Sequence, residues 1–213
     1  MTGRTKIAAL VLLLIAAILC TSCILDEKVI EVILRNSTCL DFQEYDEDET
    51  FSTPDTIDMA DEIGETLAEN GMSRGDIVTA SLISCTYEVT DLTPPVGHAD
   101  WVISGAITVE RIDKARAATT LVEYDTQSIV GAMGLTDPIV ADLTPAGVDL
   151  LNEALADFIA GDDPVIVVKT ENGNVDPDPT PSDPIDFDWQ ACLNFYLQFD
   201  ETLDLIDLFP PSE

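Results

Sequence analysis

The chain has 213 residues, 41 of them acidic and 9 basic, which gives a net charge of −32 at pH 7. So anionic a surface excludes nucleic acid as a partner, because phosphate binding needs a basic face, and a hydrophobic content of 46% excludes wholesale disorder. With one histidine and five cysteines, the chain also lacks the ligands that a transition-metal centre needs.

The first element is apolar. Arg4 and Lys6 precede residues 7–19, IAALVLLLIAAIL, a run of 13 apolar residues. That length suits the core of a signal peptide rather than a membrane span of about 20 residues. The run leads into Thr21-Ser22-Cys23, and Cys20 and Cys23 form a CxxC. A redox or metal role fails on location, since Cys20 lies within the apolar run, away from the polar partners that lower a thiol's pKa.

Small residues before a cysteine at the end of such a run resemble the precursors of bacterial lipoproteins. In that family the cysteine is lipidated on its thiol and becomes the new N-terminus after cleavage. The resemblance implies a signal peptide over 1–22, lipidation at Cys23, and a single acidic domain over 23–213 held at the membrane of a bacterial cell envelope. Cys20 departs from the pattern, standing where leucine is usual. Two other readings remain open: residues 7–25 carry no charge over 19 positions and suit an uncleaved signal anchor, and ordinary cleaved secretion is the third. All three place the domain outside the cytoplasm.

Beyond the apolar segment, 7 basic residues face all 41 acidic ones, a net −34 on the domain. Residues 28–35, KVIEVILR, predict a strand with Ile30, Val32 and Leu34 on one face. Residues 38–45 predict a second extended piece, with Leu40 and Phe42 set against Cys39, Asp41 and Gln43. The acidic run 46–49 predicts a solvated loop. Residues 58–70 predict a helix with Ala60, Ile63 and Leu67 on its apolar face and Gly71 as a left-handed stop.

The period then switches to two. Ile83, Cys85, Tyr87 and Val89 alternate against Ser84, Thr86, Glu88 and Thr90. In WVISGAITVERI, Trp101, Ile103, Ile107 and Val109 point inward, and residues 119–126 predict a neighbouring strand. A better-signalled helix follows: Thr144 caps, Pro145 suits the first turn, Val148, Leu151, Leu155, Phe158 and Ile159 form one face, and Gly161 ends it. Residues 165–168 predict a short apolar strand. Asn172-Gly173-Asn174 and the Pro/Asp tract 176–184 predict a turn region. Residues 185–199 alternate throughout, with Ile185, Phe187, Trp189, Ala191, Leu193, Phe195, Leu197 and Phe199 on one side.

These elements predict an α+β chain, a predominantly antiparallel sheet or sandwich-like domain of about seven strands with two helices. No catalytic residue is assigned. The one histidine, His98, lies in a Pro/Gly loop without a nucleophile elbow. With so many carboxylates, no acid pair is singled out by sequence. The run 46–49 together with Asn174, Asp176, Asp178 and Asp183 offers oxygen ligands for weak Ca²⁺ binding, but the spacing is not that of an EF-hand. No cofactor is expected, and no metal site is assigned. Arg74-Gly75-Asp76 and the sequon Asn36-Ser37-Thr38 are matches of the kind that recur by chance.

Three cysteines remain in the domain, and counting permits three pairings. Strand phase chooses among them. Cys39 accompanies Asp41 and Gln43, and Cys192 accompanies Gln190, Asn194 and Gln198, whereas Cys85 shares a face with apolar neighbours. A Cys39–Cys192 disulfide is therefore expected, placing the first and last strands side by side, with Cys85 a buried free thiol. The functional expectation is a membrane-tethered lipoprotein with a non-enzymatic structural or binding role, its protein or glycan partner unknown. The alternative from another class is an extracytoplasmic hydrolase using a carboxylate pair.

Overall fold

The computed structural model describes residues 28–46, 50–51, 54–93, 100–180 and 183–203, with side chains over 33–44, 54–93, 100–180 and 183–199. The chain divides into two units, Ile33–Phe199 and a second made of Met1–Val32 with Asp200–Glu213. The fold described below is that of the first. Cys23, residues 47–49 and His98 lie outside the described residues.

The chain runs β1 (Lys28–Asp46), β2 (Thr50–Phe51), β3 (Pro54–Asp58), α1 (Met59–Glu69), β4 (Ile77–Thr93), β5 (Val102–Arg111), β6 (Thr119–Ser128), β7 (Ile139–Val140), α2 (Pro145–Ala160), β8 (Val165–Asp176) and β9 (Ile185–Leu203). The strands form a four-stranded sheet in the order β1-β9-β4-β7 and a five-stranded sheet in which β2, β8, β5 and β6 are neighbours and β3 also pairs with β8. The registered strand pairs are antiparallel, so the architecture is a mostly antiparallel β-sandwich with two helices. It has more strands than the seven that alternation predicts. The additional strands are β2, β3 and β7, of which β2 and β7 are two residues long, too short for a period to register.

The strongest sequence pattern builds the centre. Every second residue of β9 from Ile185 to Phe199 is buried, as period-two geometry requires of a strand with one core face. The pieces predicted at 28–35 and 38–45 are a single strand, β1. Its inward positions Asn36, Thr38, Leu40, Phe42 and Glu44 keep one phase and are all buried. Asn36 and Thr38 are polar, so an apolar pattern breaks there while the strand does not.

One predicted face and one predicted turn are altered by β-bulges. In β4 the register steps from Leu82 opposite Phe195 to Ser84 opposite Asn194. Ile83 is thus the extra residue and is 49% exposed instead of facing the core, while Leu82 and Cys85 are buried. The amide that the bulge frees is used, since Leu82 N donates to Asn152 Oδ1 of α2 at 2.8 Å. In β8 the residues predicted as a turn, 172–174, belong to the strand. Asn172 adopts φ +54°, and the pairing with β5 steps from Ser104–Asn174 to Ala106–Glu171. Gly105 stands opposite this bulge, and a Cβ there would meet Tyr124 Oη at 2.6 Å.

Both helices are capped as their sequences indicate. Asp58 accepts from Ala60 N, and Met59, Ile63 and Leu67 are buried, so the apolar face includes Met59 in place of Ala60. Thr144 accepts from Gly147 N, and Gly161 ends α2 at φ +108°. The buried face of α2 comprises Gly147, Leu150, Leu151, Ala154, Leu155 and Phe158, while Val148 and Ile159 are half-buried. The rotation follows from close docking at the N-terminus, where Thr144 N donates to Leu121 O at 2.8 Å and the Thr144 hydroxyl donates to Thr120 O. α2 contacts β4 of one sheet and β5 and β6 of the other, and so covers the gap between them.

This docking makes a prediction of opposite signs for two helical glycines. A Cβ on Gly147 would lie 2.6 Å from Leu121 Cα and 2.8 Å from Thr120 O, both backbone atoms, whereas one on Gly64 of α1 meets nothing within 4 Å. Gly147→Ala is expected to destabilise by about 2 kcal/mol despite alanine's helix propensity, because α2 must lift from β6. Gly64→Ala should stabilise by roughly 0.5–1 kcal/mol. Urea midpoints of the two variants check the contrast, and equal shifts would show that α2 is not held this closely.

Candidate functional site

Cations are scarce, and the fold spends four of them on one helix. Arg111 closes β5 with a side chain 0% exposed, flanked by Asp113 and Asp157. Its Nε donates to Asp113 Oδ1 at 3.0 Å, a second nitrogen donates to Asp113 Oδ2, and a third to Asp157 Oδ2 on α2. Lys114 also reaches Asp157, Arg116 reaches Glu153, and Arg74 lies 4.2 Å over the Phe158 ring while binding Asp162 O and Asp163. Hydrogen bonds from Arg111 hold the Asp113 carboxyl below its ordinary value, and Lys114 followed by Arg111 does the same at Asp157. These ion pairs fasten α2 and present no free reactive group.

The same contacts absorb the Arg-Gly-Asp match. Arg74 is engaged with α2 and the segment after it, and Asp76 caps its own turn, accepting from Ser73 N at 2.9 Å and Ser73 Oγ at 2.6 Å. Those hydrogen bonds lower the Asp76 pKa. The sequon's Asn36 is buried, only 8% exposed.

Between the sheets, Trp189 stacks on Phe42 with ring centroids 4.6 Å apart and meets Tyr124 edge-on at 6.4 Å. Its indole N–H donates to the buried Glu44 at 3.4 Å. Burial, with the Glu44 charge adding to it, pushes the Tyr124 hydroxyl well above the ordinary tyrosine range. Tyr87 donates to Gln127 Oε1 across the sandwich at 2.8 Å.

Two open clefts lie at the surface. One, of about 210 Å³, is lined by Tyr87, Glu123, Tyr124, Asp125, Gln127 and Asp142 among others. The other, of about 170 Å³, is lined by Gln43, Asp91, Thr93, Asp186, Phe187 and Asp188. Glu123, Asp125 and Asp142 are exposed, so solvent screens each carboxylate from its neighbours. Among the described residues, no three His, Cys, Asp or Glu side chains stand close enough to hold a metal ion. Asn174 and Asp176, which sequence grouped as oxygen ligands, lie in β8.

The cysteines are placed as strand phase implies. Cys39 and Cys192 are disulfide-bonded, across neighbouring strands β1 and β9. Cys85 is a buried free thiol, and burial pushes its pKa up to about 12.

The disulfide sits on the outer face of the four-stranded sheet, and that face differs from the rest of the molecule. Register pairs Ser81 with Tyr196, Ser84 with Asn194 and Thr86 with Cys192. Asn194 Nδ2 donates to Ser84 Oγ at 3.2 Å and to Thr86 Oγ1 at 3.4 Å, and Tyr196 Oη donates to Gln198 Oε1 at 3.0 Å. Ile33 of β1, Ile83 of β4 and Val140 of β7 are 53%, 49% and 68% exposed. From Thr86 and Cys192 along to Thr79 and Gln198, the outward positions of β4 and β9 carry no carboxylate.

Sequence reasoning left out Arg111, Glu44 and this face, although phase alone could have found them. Arg111 continues the inward parity of Ile107 and Val109, and Glu44 that of Leu40 and Phe42. The run Cys192, Asn194, Tyr196, Gln198 is the uncharged half of the same alternation that exposed the core of β9.

No family model matches the chain, and no curated protein matches it. Among solved structures, turnip yellow mosaic virus at 100 K aligns over 82% of this chain and 98% of its own, at 11% identity and a TM-score of 0.32. Desmodium yellow mottle tymovirus covers 83% and 84%, at 9% identity and 0.30, and the decameric BFDV capsid protein 79% and 99%, at 11% and 0.31. Likeness of this degree carries no inference about what this chain does.

Proposed function

We propose that the chain is a bacterial lipoprotein, acylated at Cys23 and tethered through that lipid, whose acidic sandwich has a non-enzymatic binding or structural role in the cell envelope. The observation that carries the reading is the N-terminal sequence, with two cations, 13 apolar residues and Thr-Ser-Cys. The Cys39–Cys192 disulfide supports export, since such bonds persist in oxidising compartments and are rare in the cytosol. β1 begins at Lys28, five residues after Cys23, so the tether is short. Among the described residues no helix is long and apolar enough to cross a membrane, and the apolar run 7–19 lies outside them.

The binding role is favoured over hydrolysis by the character of the surface. An acid–base pair needs two carboxylates in different environments converging on a shielded pocket, and the clefts here are open, with Asp91, Glu123, Asp125 and Asp142 exposed at them. Weak Ca²⁺ binding to the acidic surface belongs to the same proposal as a diffuse attraction of cations.

Detergent phase partitioning of Cys23→Ser tests the anchor. The variant is expected to lose its lipid and to keep its signal peptide or leave the membrane fraction, because each buried CH₂ of an acyl chain contributes about 0.8 kcal/mol to membrane binding. A variant that partitions as the parent does, with residues 1–22 retained in both, would mean an uncleaved anchor instead.

A further inference from the structure

We infer that the outer face of the four-stranded sheet is a self-association surface, whose partner is the same face of a second copy. Four features meet there. It lacks carboxylates between Thr86–Cys192 and Thr79–Gln198, it exposes Ile83 and Val140, it carries matched hydroxyl and amide side chains, and the Cys39–Cys192 bond fixes its edge strand.

Charge identifies the occupant. In a two-fold contact every patch meets itself or a neighbouring patch of an identical surface. On a domain of net −34, most such contacts set carboxylates against carboxylates. A distinct partner would be recognised through complementary positive charge and would gain from meeting the acidic remainder. A face stripped of carboxylates is what self-contact requires. Arg35, exposed on β1, places one positive charge on the edge strand of this face. The arrangement also has the layout of an interface, with an uncharged centre holding exposed aliphatics and a charged rim at Asp41, Glu88 and the Asp186–Asp188 cleft.

Size sets the strength. Three strands about 4.8 Å apart and seven residues of about 3.4 Å give a patch of roughly 14 by 24 Å, which β7 extends at one corner only. That falls below the ~800 Å² per partner of a standard interface, so the dimer is weak and reversible. Because the rims repel, association strengthens as salt screens them.

Sedimentation of the full-length chain in a non-ionic detergent, across concentration and at about 0.1 and 1 M NaCl, tests this. The expected result is a monomer–dimer equilibrium that tightens with salt. Ile83→Glu and Val140→Glu, both at exposed positions on the face, should each weaken it at least tenfold, while Ala68→Glu, on the exposed side of α1, should leave it unchanged. If Ile83→Glu misfolds, Val140→Glu on the separate strand β7 decides. A monomer at every concentration overturns the inference. So does an association that survives both face variants, which would belong to the apolar N-terminus, or one that Ala68→Glu weakens equally, which would reflect total charge.

Discussion

Replacing both Cys39 and Cys192 with alanine is expected to lower the unfolding free energy by about 5 kcal/mol in the chain-entropy treatment, because the bond closes a loop with a sequence separation of 153. That is a large share of the 5–15 kcal/mol that holds a typical domain. The effect is concentrated on β1, which is an edge strand among the described residues. Its inward face contributes Leu40 and Phe42, but also Asn36 Nδ2 and Thr38 Oγ1, which are buried with no hydrogen-bond partner among the described residues. Each such group costs on the order of 1–3 kcal/mol. The strand therefore brings less apolar gain than its length suggests, and the covalent link offsets the deficit. Denaturant unfolding of the double variant, with hydrogen exchange over β1, measures both parts. A loss below about 1 kcal/mol, or exchange in β1 no faster than in β9, would show that the strand is held by packing alone.

The parts of the fold legible in the sequence are those where one physical requirement dominates. β9 is read residue by residue because each inward side chain is apolar and buried, and the disulfide follows because the polar phases of β1 and β9 point the same way. Both helix starts are legible because Asp58 and Thr144 cap through local hydrogen bonds, and α2 ends at Gly161 because glycine alone tolerates that φ freely.

The misreadings arise where non-local pairing overrides the local pattern. Ile83 continues the alternation of its neighbours yet turns outward, because a bulge is fixed by the partner strand and by Asn152 on α2. Asn172-Gly173-Asn174 has turn composition, yet continues β8, because Gly105 on β5 makes room for the bulge. Polar inward residues hid the junction within β1. The candidate site was less legible for a different reason. The acidic residues attract attention by number, whereas the informative feature is a stretch where they are missing, and an absence stands out only once register places β4 beside β9.

Arg111→Ala is expected to cost about 3 kcal/mol, since removing one partner of a buried ion pair leaves the remaining charges and hydrogen-bond acceptors uncompensated. The side chain is fully buried and holds β5, the turn at Asp113 and α2 together. The cost falls toward the lower end of the usual range because Asp113 and Asp157 keep some solvent contact, at 24% and 22% exposure, and Asp157 retains Lys114. The pH dependence has a definite sign. Both carboxyls have folded pKa values below their unfolded ones, so their contribution is fully present above the ordinary aspartate value of about 4 and is lost as pH falls through the folded values. The stability gap between parent and Arg111→Ala should therefore stay constant from about pH 5 to 8 and narrow below about pH 4. Urea titrations of both proteins across that range read it directly, with a shift of roughly 6–12 °C in the thermal midpoint at neutral pH as a second measure. A gap that stays unchanged in acid would mean that Arg111 contributes as packed volume and not as a charge, in which case Arg111→Met should recover most of the loss.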